Sequence, residues 1–433
     1  MGKNKKHSSK KKSPEKNTEP QNNKKPVGVT DKQGSEPEKK TDAPTDIKAD
    51  ASEKKTDAQA DINADASDKK AAPETVSGEA EESGTEEGAQ EKKPKGKAAF
   101  YAGKALRSIS FFLILGTILG IFSYAVHPKN NKKEYGMRDQ NAHAFYAEPE
   151  NTLDTIIIGN SEAYSSFSPL EMWHAYGITS YVSAKGAILM SDAYYILKEV
   201  LKTQSPKLVV FETDAVFPQK EDQTLRDRTI NNVIENESPL IKYHDVWKIQ
   251  KPENYFAPID YKWQSYSRGQ MDDPRTEGYE SRNLVVSDGK NEVYRDGKIN
   301  FWILEYMDKF VDLCREKNIQ VLFVTVPNII TTSKLNSQAI KNYCTSRGIP
   351  QIDFSEHPEF INIDWTKDTR DGGVHMNTRG AKKVSLFLGQ YIIDQYGIKD
   401  RRDDKKLAER WDRDYKRYKN EVQIKRKKIL GLM

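Results

Sequence analysis

Between residues 140 and 398, short runs of β-branched and aliphatic residues alternate with longer amphipathic stretches. Short apolar runs that end at turn residues are typical of buried strands, whereas apolar residues three and four positions apart are typical of helices. This pattern predicts strands at 155–158, 179–183, 207–212, 319–326 and 351–354, and helices beginning at Ser168 and spanning 191–203, 301–317, 337–346 and 378–396.

Strands that alternate with helices predict an α/β domain in three α/β/α layers around a mostly parallel sheet. Residues 161–167 are expected to form a turn or loop between the first strand and the helix that Ser168 caps. Residues 218–298 break the alternation of strands and helices. We predict that they form an insertion over the edge of the sheet where the strands end, the edge at which open α/β sheets place their active sites. Its aromatic and basic residues suit either sugar and anion binding or a small core of their own; they are Tyr255, Tyr261, Trp263, Tyr266, Arg268, Arg275 and Tyr279.

The segments that flank this domain differ from it in composition. Residues 1–97 are rich in charged and small residues and poor in large apolar ones, so we expect a disordered tail. Residues 108–126 form an uncharged apolar run, close to the roughly 20 residues that a transmembrane helix needs. Residues 399–433 predict a charged C-terminal helix, either solvated or in contact with anionic polymer or lipid.

The charges beside the apolar run predict its orientation. More basic residues precede the run than follow it, which favours a cytoplasmic N-terminus and an extracellular α/β domain in a single-pass protein of the cell membrane. The preceding residues are Lys92, Lys93, Lys95, Lys97, Lys104 and Arg107, and the following ones are Lys129, Lys132, Lys133 and Arg138.

Two motifs contain residue types that together support nucleophilic catalysis. The run TIIIGNS ends the first predicted strand and places Ser161 at the strand's carboxyl end. The run DGGVHMN, which begins at Asp371, places His375 near the last predicted helix. A serine hydroxyl becomes a nucleophile when a histidine accepts its proton and a carboxylate orients the imidazole. Asp371 is the first candidate for that carboxylate, and Asp368 is the alternative.

These motifs resemble those of the SGNH/GDSL hydrolase superfamily over residues 150–397. The similarity is strongest to membrane-anchored, extracytoplasmic members of the D-alanyl-lipoteichoic acid biosynthesis and alginate O-acetyltransferase types. The resemblance implies that Ser161 is the nucleophile, His375 the general base and Asp371 the orienting acid. It also implies an oxyanion hole formed by the backbone N–H groups of Ser161 and Gly186.

The chain departs from the family pattern at two places. Asp371 lies four residues before His375, whereas the family has its aspartate three residues before the histidine. Glu212, Thr213 and Asp214 stand where the family has a Gly-x-Asn-Asp block, so the side-chain donor of the oxyanion hole is unassigned.

These observations predict a membrane-anchored serine acyltransferase or esterase that acts on O-acyl groups of cell-envelope glycopolymers. The resemblance further implies a polytopic membrane partner that supplies the acyl group. The alternative is a catalytically decayed surface scaffold that binds glycopolymer or a membrane partner. We expect no cofactor, no metal site and no nucleic-acid partner. Cys314 and Cys344 are either a disulfide or two buried thiols.

Overall fold

The computed structural model describes residues 96–275, 296–328, 333–354 and 360–433. Its centre is a five-stranded parallel sheet with the order β2-β1-β3-β4-β5. Ile157 of β1 lies opposite Val182 of β2 and Val210 of β3, so the three strands are in register. The strands are β1 (Thr155–Gly159), β2 (Ser180–Ala184), β3 (Leu208–Glu212), β4 (Gln320–Thr325) and β5 (Gln351–Asp353).

Helices cover both faces of the sheet. The described helices are α1 (Gly96–Val126), α2 (Ser161–Ser166), α3 (Pro169–Tyr176), α4 (Met190–Val200), α5 (Asp222–Glu237), α6 (Pro239–Lys242), α7 (Phe301–Glu316), α8 (Lys334–Arg347), α9 (Thr378–Tyr396) and α10 (Lys405–Ile429). Ile157 faces the core beneath α3 and α9, whereas Ile156 and Ile158 face the core beneath α4 and α7. Successive side chains of a strand point to opposite faces, so the continuous apolar run of β1 is buried on both sides. The predicted α/β class with a mostly parallel sheet is confirmed.

Two local predictions were wrong. Residues 161–166 form helix α2 instead of a loop, because the Asn160 side chain caps the helix by accepting the Glu162 N–H at 2.8 Å. Ser168 occupies the N-cap position of α3, but its side chain makes no capping bond. Its backbone N–H instead donates to Ser385 Oγ at 2.6 Å, which ties the start of α3 to α9.

The insertion contains more regular structure than its polarity suggested. Helix α5 buries only Leu225 and Thr229, so its sequence carries little apolar periodicity. Helix α6 follows it, and residues 276–295, which include Tyr279, lie outside the described residues.

The remaining short elements of the described chain are 3-10 turns at Lys133–Tyr135, Ala144–Ala147, Thr213–Val216, Val246–Lys248 and Pro252–Asn254.

The helices at the two ends of the described chain differ in character: α1 is long and apolar, whereas α10 is charged and packs on the domain. Helix α1 contains an apolar stretch, Phe100–Val126, which is long and apolar enough to cross a membrane. It extends the predicted 108–126 run towards the N-terminus, and the tail through residue 95 lies outside the described residues. Helix α10 is not simply solvated, because it buries Leu407, Trp411 and Tyr418. Trp411 packs on Trp173 of α3 with ring centroids 5.2 Å apart.

The two cysteines are both buried and unpaired. Cys314 lies on α7 and Cys344 on α8, and each is a free thiol. Burial raises the pKa of each thiol to about 12. Neither thiol is therefore a reactive thiolate near neutral pH.

Gly159, the last residue of β1, is a position where packing requires glycine. A Cβ there would lie 2.7 Å from Ala163 Cβ and 2.7 Å from Glu212 Cβ. Because both neighbours are fixed by backbone, we expect Gly159→Ala to lower the free energy of unfolding by about 1–3 kcal/mol. Urea denaturation measures this, with Gly186→Ala as the control, since the nearest atom to its Cβ would be Tyr164 Oη at 4.0 Å. Equal stability of the two variants would contradict the expectation.

Candidate active site

Ser161 is the first residue of α2 and follows directly on the turn that ends β1. Asn160 shapes this turn through three contacts. Its side-chain oxygen accepts the Glu162 N–H, its side-chain N–H group donates to Asp214, and its backbone N–H donates to the Glu212 carboxylate. The last two contacts connect the end of β1 to the end of β3. Ser161 is thereby held at the carboxyl end of the central strands, where open α/β sheets place their ligands.

Ser161, His375 and Asp371 lie in one continuous chain of hydrogen bonds. His375 Nε2 is 2.9 Å from Ser161 Oγ. On the other side of the ring, His375 Nδ1 is 2.5 Å from Asp371 Oδ2. An imidazole that donates from Nδ1 to a carboxylate presents Nε2 as the acceptor for a serine proton. The arrangement has the order and the distances of a nucleophile, a base and an orienting acid.

The loop between Asp371 and His375 explains how a four-residue spacing works. Gly372 has φ +78° and Gly373 has φ +107°, a region that residues with side chains rarely adopt. The chain therefore curls back, and Asp371 Oδ1 accepts the His375 backbone N–H at 2.8 Å while Oδ2 accepts from the ring. A helical turn could also have brought the two residues together, but this segment is a loop.

Asp368, the alternative orienting acid, pairs with cations of α9. It is completely buried, with ion pairs to Arg379 Nε at 2.8 Å and Lys383 Nζ at 2.6 Å. It also accepts the Asp364 N–H at 2.7 Å. Its carboxylate therefore holds the loop against α9, and of the two candidate acids only Asp371 is bonded to the His375 ring.

The pKa of Asp371 reflects this position. Burial by itself would raise it, but hydrogen bonds from the His375 ring and backbone N–H outweigh burial, and the charges of His375 and Arg370 add to them. Together they hold the pKa of Asp371 below its ordinary value. The carboxylate is thus ionised and able to stabilise an imidazolium.

A cleft of about 390 Å³ opens beside Ser161. One wall holds three acidic side chains that the sequence analysis did not assign to the site. Glu162 Oε1 is 3.9 Å from His375 Nε2 and accepts from Asn328 Nδ2 at 2.7 Å. Glu212 accepts the Asp214 N–H at 2.9 Å. The sequence signal for this cluster was Glu212-Thr213-Asp214 at the end of a predicted strand, with Glu162 directly after the serine.

The three carboxyl groups are pushed towards their neutral forms. Burial is the largest cause, and it raises the pKa of Glu162, Glu212 and Asp214. The charge of Asp214 raises the pKa of both glutamates further, and Glu212 also acts on Glu162. Like charges so close together are unfavourable, so this wall of the cleft retains protons that exposed carboxyl groups would lose.

Glu162 predicts a pH-dependent difference in stability. Because its folded-state pKa is raised, its contribution to stability is complete below the unfolded pKa and is lost as the pH rises through the folded value. Glu162→Gln cannot ionise, so we expect its thermal midpoint to exceed that of the wild type at about pH 8 and the gap to shrink at about pH 5. The control is Glu316→Gln, because Glu316 is exposed. This variant should have the thermal midpoint of the wild type at both pH values. A gap that widens on acidification would contradict the expectation.

Tyr164 is a further residue near Ser161 that the sequence did not reveal. Its hydroxyl interacts with the Ser161 side chain. Burial raises the pKa of Tyr164, and Arg370 and the Ser161 hydrogen bond oppose that rise. Met271 N–H donates to the Tyr164 carbonyl at 2.8 Å, so the insertion reaches this side of the site.

Gly186, the predicted oxyanion donor, lines the neighbouring cavity of about 610 Å³ and not the Ser161 cleft. The residues after it, Ala187 and Ile188, do line the cleft. Ala187 has φ +52°, in the left-handed region, and its carbonyl accepts from Arg228 Nη2 of α5 at 2.9 Å. The loop after β2 therefore borders both cavities, and the insertion holds it through Arg228.

The aromatic and basic residues of the insertion are mostly structural. Arg268, for which both anion binding and a place in a small core were open, is completely buried. Its guanidinium pairs with Glu148 at 3.3 Å and Asp414 at 2.8 Å and lies 4.2 Å from the Trp411 ring centroid. Tyr266 donates from its hydroxyl to Asp272. The small-core alternative is the one that these contacts support.

The other described residues of the insertion set do not line the Ser161 cleft. Tyr261 Oη is 2.8 Å from His127 Nε2, and Tyr255 Oη donates to the Trp247 carbonyl at 3.3 Å. Arg275 is half exposed and pairs with Asp273 at 2.7 Å. Trp263 lines the cavity beside Gly186.

Comparison with known proteins yields structural matches only. No protein-family model matches the chain, and no curated protein matches it. The solved structures that match include a GDSL-like lipase from Bacteroides thetaiotaomicron, with 11% identity over 55% of this chain and 87% of that one and a TM-score of 0.28. They also include the C-terminal catalytic domain of peptidoglycan O-acetyltransferase A from Streptococcus pneumoniae, with 13% identity over 57% and 95% and a TM-score of 0.25. A third is a lipase/acylhydrolase from Enterococcus faecalis, with 9% identity over 56% and 97% and a TM-score of 0.26.

The Bacteroides thetaiotaomicron lipase among these structures is described as GDSL-like, which is the family that the sequence motifs resemble. At such identities and TM-scores, nothing about the chemistry of this chain follows from them. The assignment of the site rests on the positions of Ser161, His375 and Asp371.

Proposed function

We propose that this chain is a serine-dependent acyl hydrolase or acyltransferase that works through an acyl-serine intermediate. The observation that carries the proposal is the hydrogen-bonded series from Ser161 Oγ through the His375 ring to Asp371, with distances of 2.9 and 2.5 Å. The cleft beside Ser161 gives an ester room to approach the hydroxyl.

In the acylation step, Ser161 Oγ attacks the carbonyl carbon of an ester while its proton moves to His375 Nε2. Asp371, hydrogen-bonded to Nδ1, stabilises the positive charge that the ring gains. The tetrahedral intermediate then collapses and the bond from the carbonyl carbon to the leaving oxygen breaks. His375 Nε2 returns its proton to that oxygen, and the acyl group remains on Ser161.

Deacylation repeats these steps with a second nucleophile. His375 takes a proton from water or from a sugar or polyol hydroxyl, which attacks the acyl-serine carbonyl. Water gives an esterase, and a hydroxyl gives an acyltransferase. The Ser161 backbone N–H and Gly186 remain the proposed oxyanion donors, and removal of one such donor typically costs about 3–4 kcal/mol of transition-state stabilisation.

The proposal includes a location and a substrate class. Helix α1 would cross the cell membrane with the cytoplasmic N-terminus that Lys104 and Arg107 favour, and the α/β domain would lie outside. An anchored domain on that side meets O-acylated glycopolymers of the cell envelope. The family resemblance adds a polytopic membrane partner as the source of acyl groups.

The same geometry supports an enzyme over a decayed scaffold. A site that has lost its function has no reason to keep a serine, a histidine and an aspartate within hydrogen-bond reach. Glycine at 372 and 373 permits the positive φ angles of the loop that brings Asp371 to the ring.

Trapping the acyl-enzyme tests the proposal. The full chain in detergent or vesicles is mixed with p-nitrophenyl acetate, quenched in acid within one turnover, and examined by mass spectrometry. We expect one acetyl group on the peptide that contains Ser161. A folded protein that carries no acetyl group, or carries it on another residue, would overturn the proposal.

A further inference from the structure

The end of the membrane-spanning helix is anchored in the insertion. Val126, the last residue of α1, packs with Tyr243 and Val246 in a small apolar cluster. Tyr124 Oη donates to the Ala257 carbonyl at 2.9 Å. These contacts join α1 to residues 239–263, which we call the juxtamembrane segment.

Polar contacts just beyond the helix reinforce this junction. The Asn131 side chain donates to the Trp263 carbonyl at 2.7 Å and accepts the Trp263 N–H at 2.8 Å. The Gln250 side chain accepts the Lys129 N–H at 3.2 Å and donates to the Ala125 carbonyl at 3.3 Å. The Lys129 ammonium lies 3.9 Å from the Tyr124 ring centroid. A junction with this many bonds holds the helix at one angle to the domain instead of acting as a flexible tether.

The juxtamembrane segment also exposes an unusual set of large apolar side chains. Single exposed apolar residues are ordinary, but a short segment that exposes several large ones is a candidate interaction surface. The exposed fractions are 45% for Ile241, 56% for Trp247, 54% for Ile249, 68% for Phe256 and 42% for Ile259. All five lie within 19 residues of one another in the segment that encloses the end of α1.

We propose that this surface, which we call the apolar rim, sits in the headgroup region of the outer leaflet of the membrane that α1 crosses. The inference rests on the membrane anchoring included in the proposed function. Val126 and Tyr124 place the segment beside the point where the span ends, so the rim is continuous with the membrane-spanning surface of α1. Trp and other large apolar side chains are favourable at that depth, where a ring is in contact with both lipid and water.

Basic side chains beside the rim suit the same environment. Lys248 lies 5.8 Å from the Trp247 ring centroid, and Lys251 is exposed next to the turn that carries Phe256. Near an anionic leaflet such residues add attraction to the burial of apolar surface. A lipid surface therefore satisfies both the apolar and the basic side chains.

Seating the rim in the membrane sets the height of the active site. The chain runs directly from Trp263 to Met271, whose N–H is bonded to Tyr164 beside Ser161. Eight residues span at most about 28 Å. The site is therefore held close to the membrane surface, and its natural substrates are acyl groups on molecules anchored at that surface.

Fluorescence quenching in vesicles tests the inference on the full chain. Phe256→Cys is labelled with an NBD maleimide under native conditions, in which buried Cys314 and Cys344 stay unlabelled because burial raises the pKa of each thiol to about 12. The protein is reconstituted in vesicles of phosphatidylcholine and phosphatidylglycerol that contain a lipid with a nitroxide near the headgroup. We expect blue-shifted emission that the nitroxide lipid quenches and aqueous iodide does not.

Phe301→Cys is the matched control, because Phe301 is 66% exposed and Phe256 is 68% exposed. Its neighbour Asn300 bonds to Asp222 at the start of α5, roughly 22 Å along that helix from the end that precedes α6. This label should be quenched by iodide only. Equal iodide quenching at 256 and 301, without lipid quenching at 256, would overturn the inference.

A third label separates this inference from the proposals on which it rests. Ile114→Cys, in the middle of α1, should be quenched by a nitroxide placed deep in the acyl chains. Quenching at 114 without quenching at 256 rejects the apolar rim alone, whereas no quenching at either position rejects the membrane span as well. Acetylation of Ser161 by the soluble ester is independent of all three labels, so the catalytic proposal is judged separately.

Discussion

Replacing Ser161 with Ala is expected to abolish the acetyl-enzyme and to lower kcat for ester hydrolysis by about 10⁶-fold. Ser161 Oγ lies 2.9 Å from His375 Nε2 and is the atom that would carry the acyl group. Alanine has no such oxygen. Residual turnover would come only from water activated by the histidine. Single-turnover acetylation and steady-state release of p-nitrophenol measure the two effects on one preparation.

Ser166→Ala is the matched control for this substitution. Ser166 lies on the same short helix, is completely buried, and its hydroxyl makes no hydrogen bond within the part of the chain that the structure describes. Loss of that hydroxyl should leave both acetylation and kcat unchanged. Acetylation that persists in Ser161→Ala, with Ser166→Ala fully active, would show that another residue is the nucleophile.

Asp371→Asn is expected to lower kcat by about 10³–10⁴-fold with little change in fold. In the wild type the His375 backbone N–H donates to Asp371 Oδ1 at 2.8 Å, and the side-chain oxygen of an asparagine can keep this bond. Its amide group, however, cannot stabilise the imidazolium, and it can hold the ring in the tautomer that leaves Nε2 protonated. Such a ring cannot accept the Ser161 proton.

Asp368→Asn separates the two candidate acids. Asp368 forms ion pairs with Arg379 and Lys383 and is not bonded to the histidine, so we expect a loss of about 1–3 kcal/mol in the free energy of unfolding. Activity per folded molecule should stay near that of the wild type. The opposite pattern, with Asp368→Asn inactive but stable and Asp371→Asn active, would reverse the assignment of the acid.

Local sequence signals were sufficient to predict the strands of the sheet, because each strand has its own apolar run. The run at 155–158 consists of a threonine and three isoleucines and is followed by Gly159, and the structure places β1 there with every residue buried. Helix α9 spans Thr378–Tyr396, as predicted, because Asn377 caps its start and accepts the N–H groups of Arg379 and Gly380. A cap and an amphipathic stripe are properties of neighbouring residues, and the sequence displays them directly.

The insertion and the C-terminal helix were harder to predict, because their partners are distant in sequence. By residue type Arg268 was compatible with an anion-binding surface, but in the structure it is buried in ion pairs with Glu148 and Asp414. Helix α10 shows a dominant basic character, yet its packing depends on Trp411 meeting Trp173. Charge composition cannot reveal which side chains an approaching element will bury.

For the candidate site, the sequence by itself determined Ser161 and His375 as residues that belong together, because each motif follows or precedes a recognisable element. The tertiary structure decided between Asp371 and Asp368, since that choice depends on the φ angles of Gly372 and Gly373 and on which cations surround Asp368. It also brought Glu162, Tyr164 and Asp214 around the serine, and joined the insertion to the end of α1. The physical reason is that periodicity and caps act between neighbours, whereas loop direction, buried charge and helix docking depend on contacts across the chain.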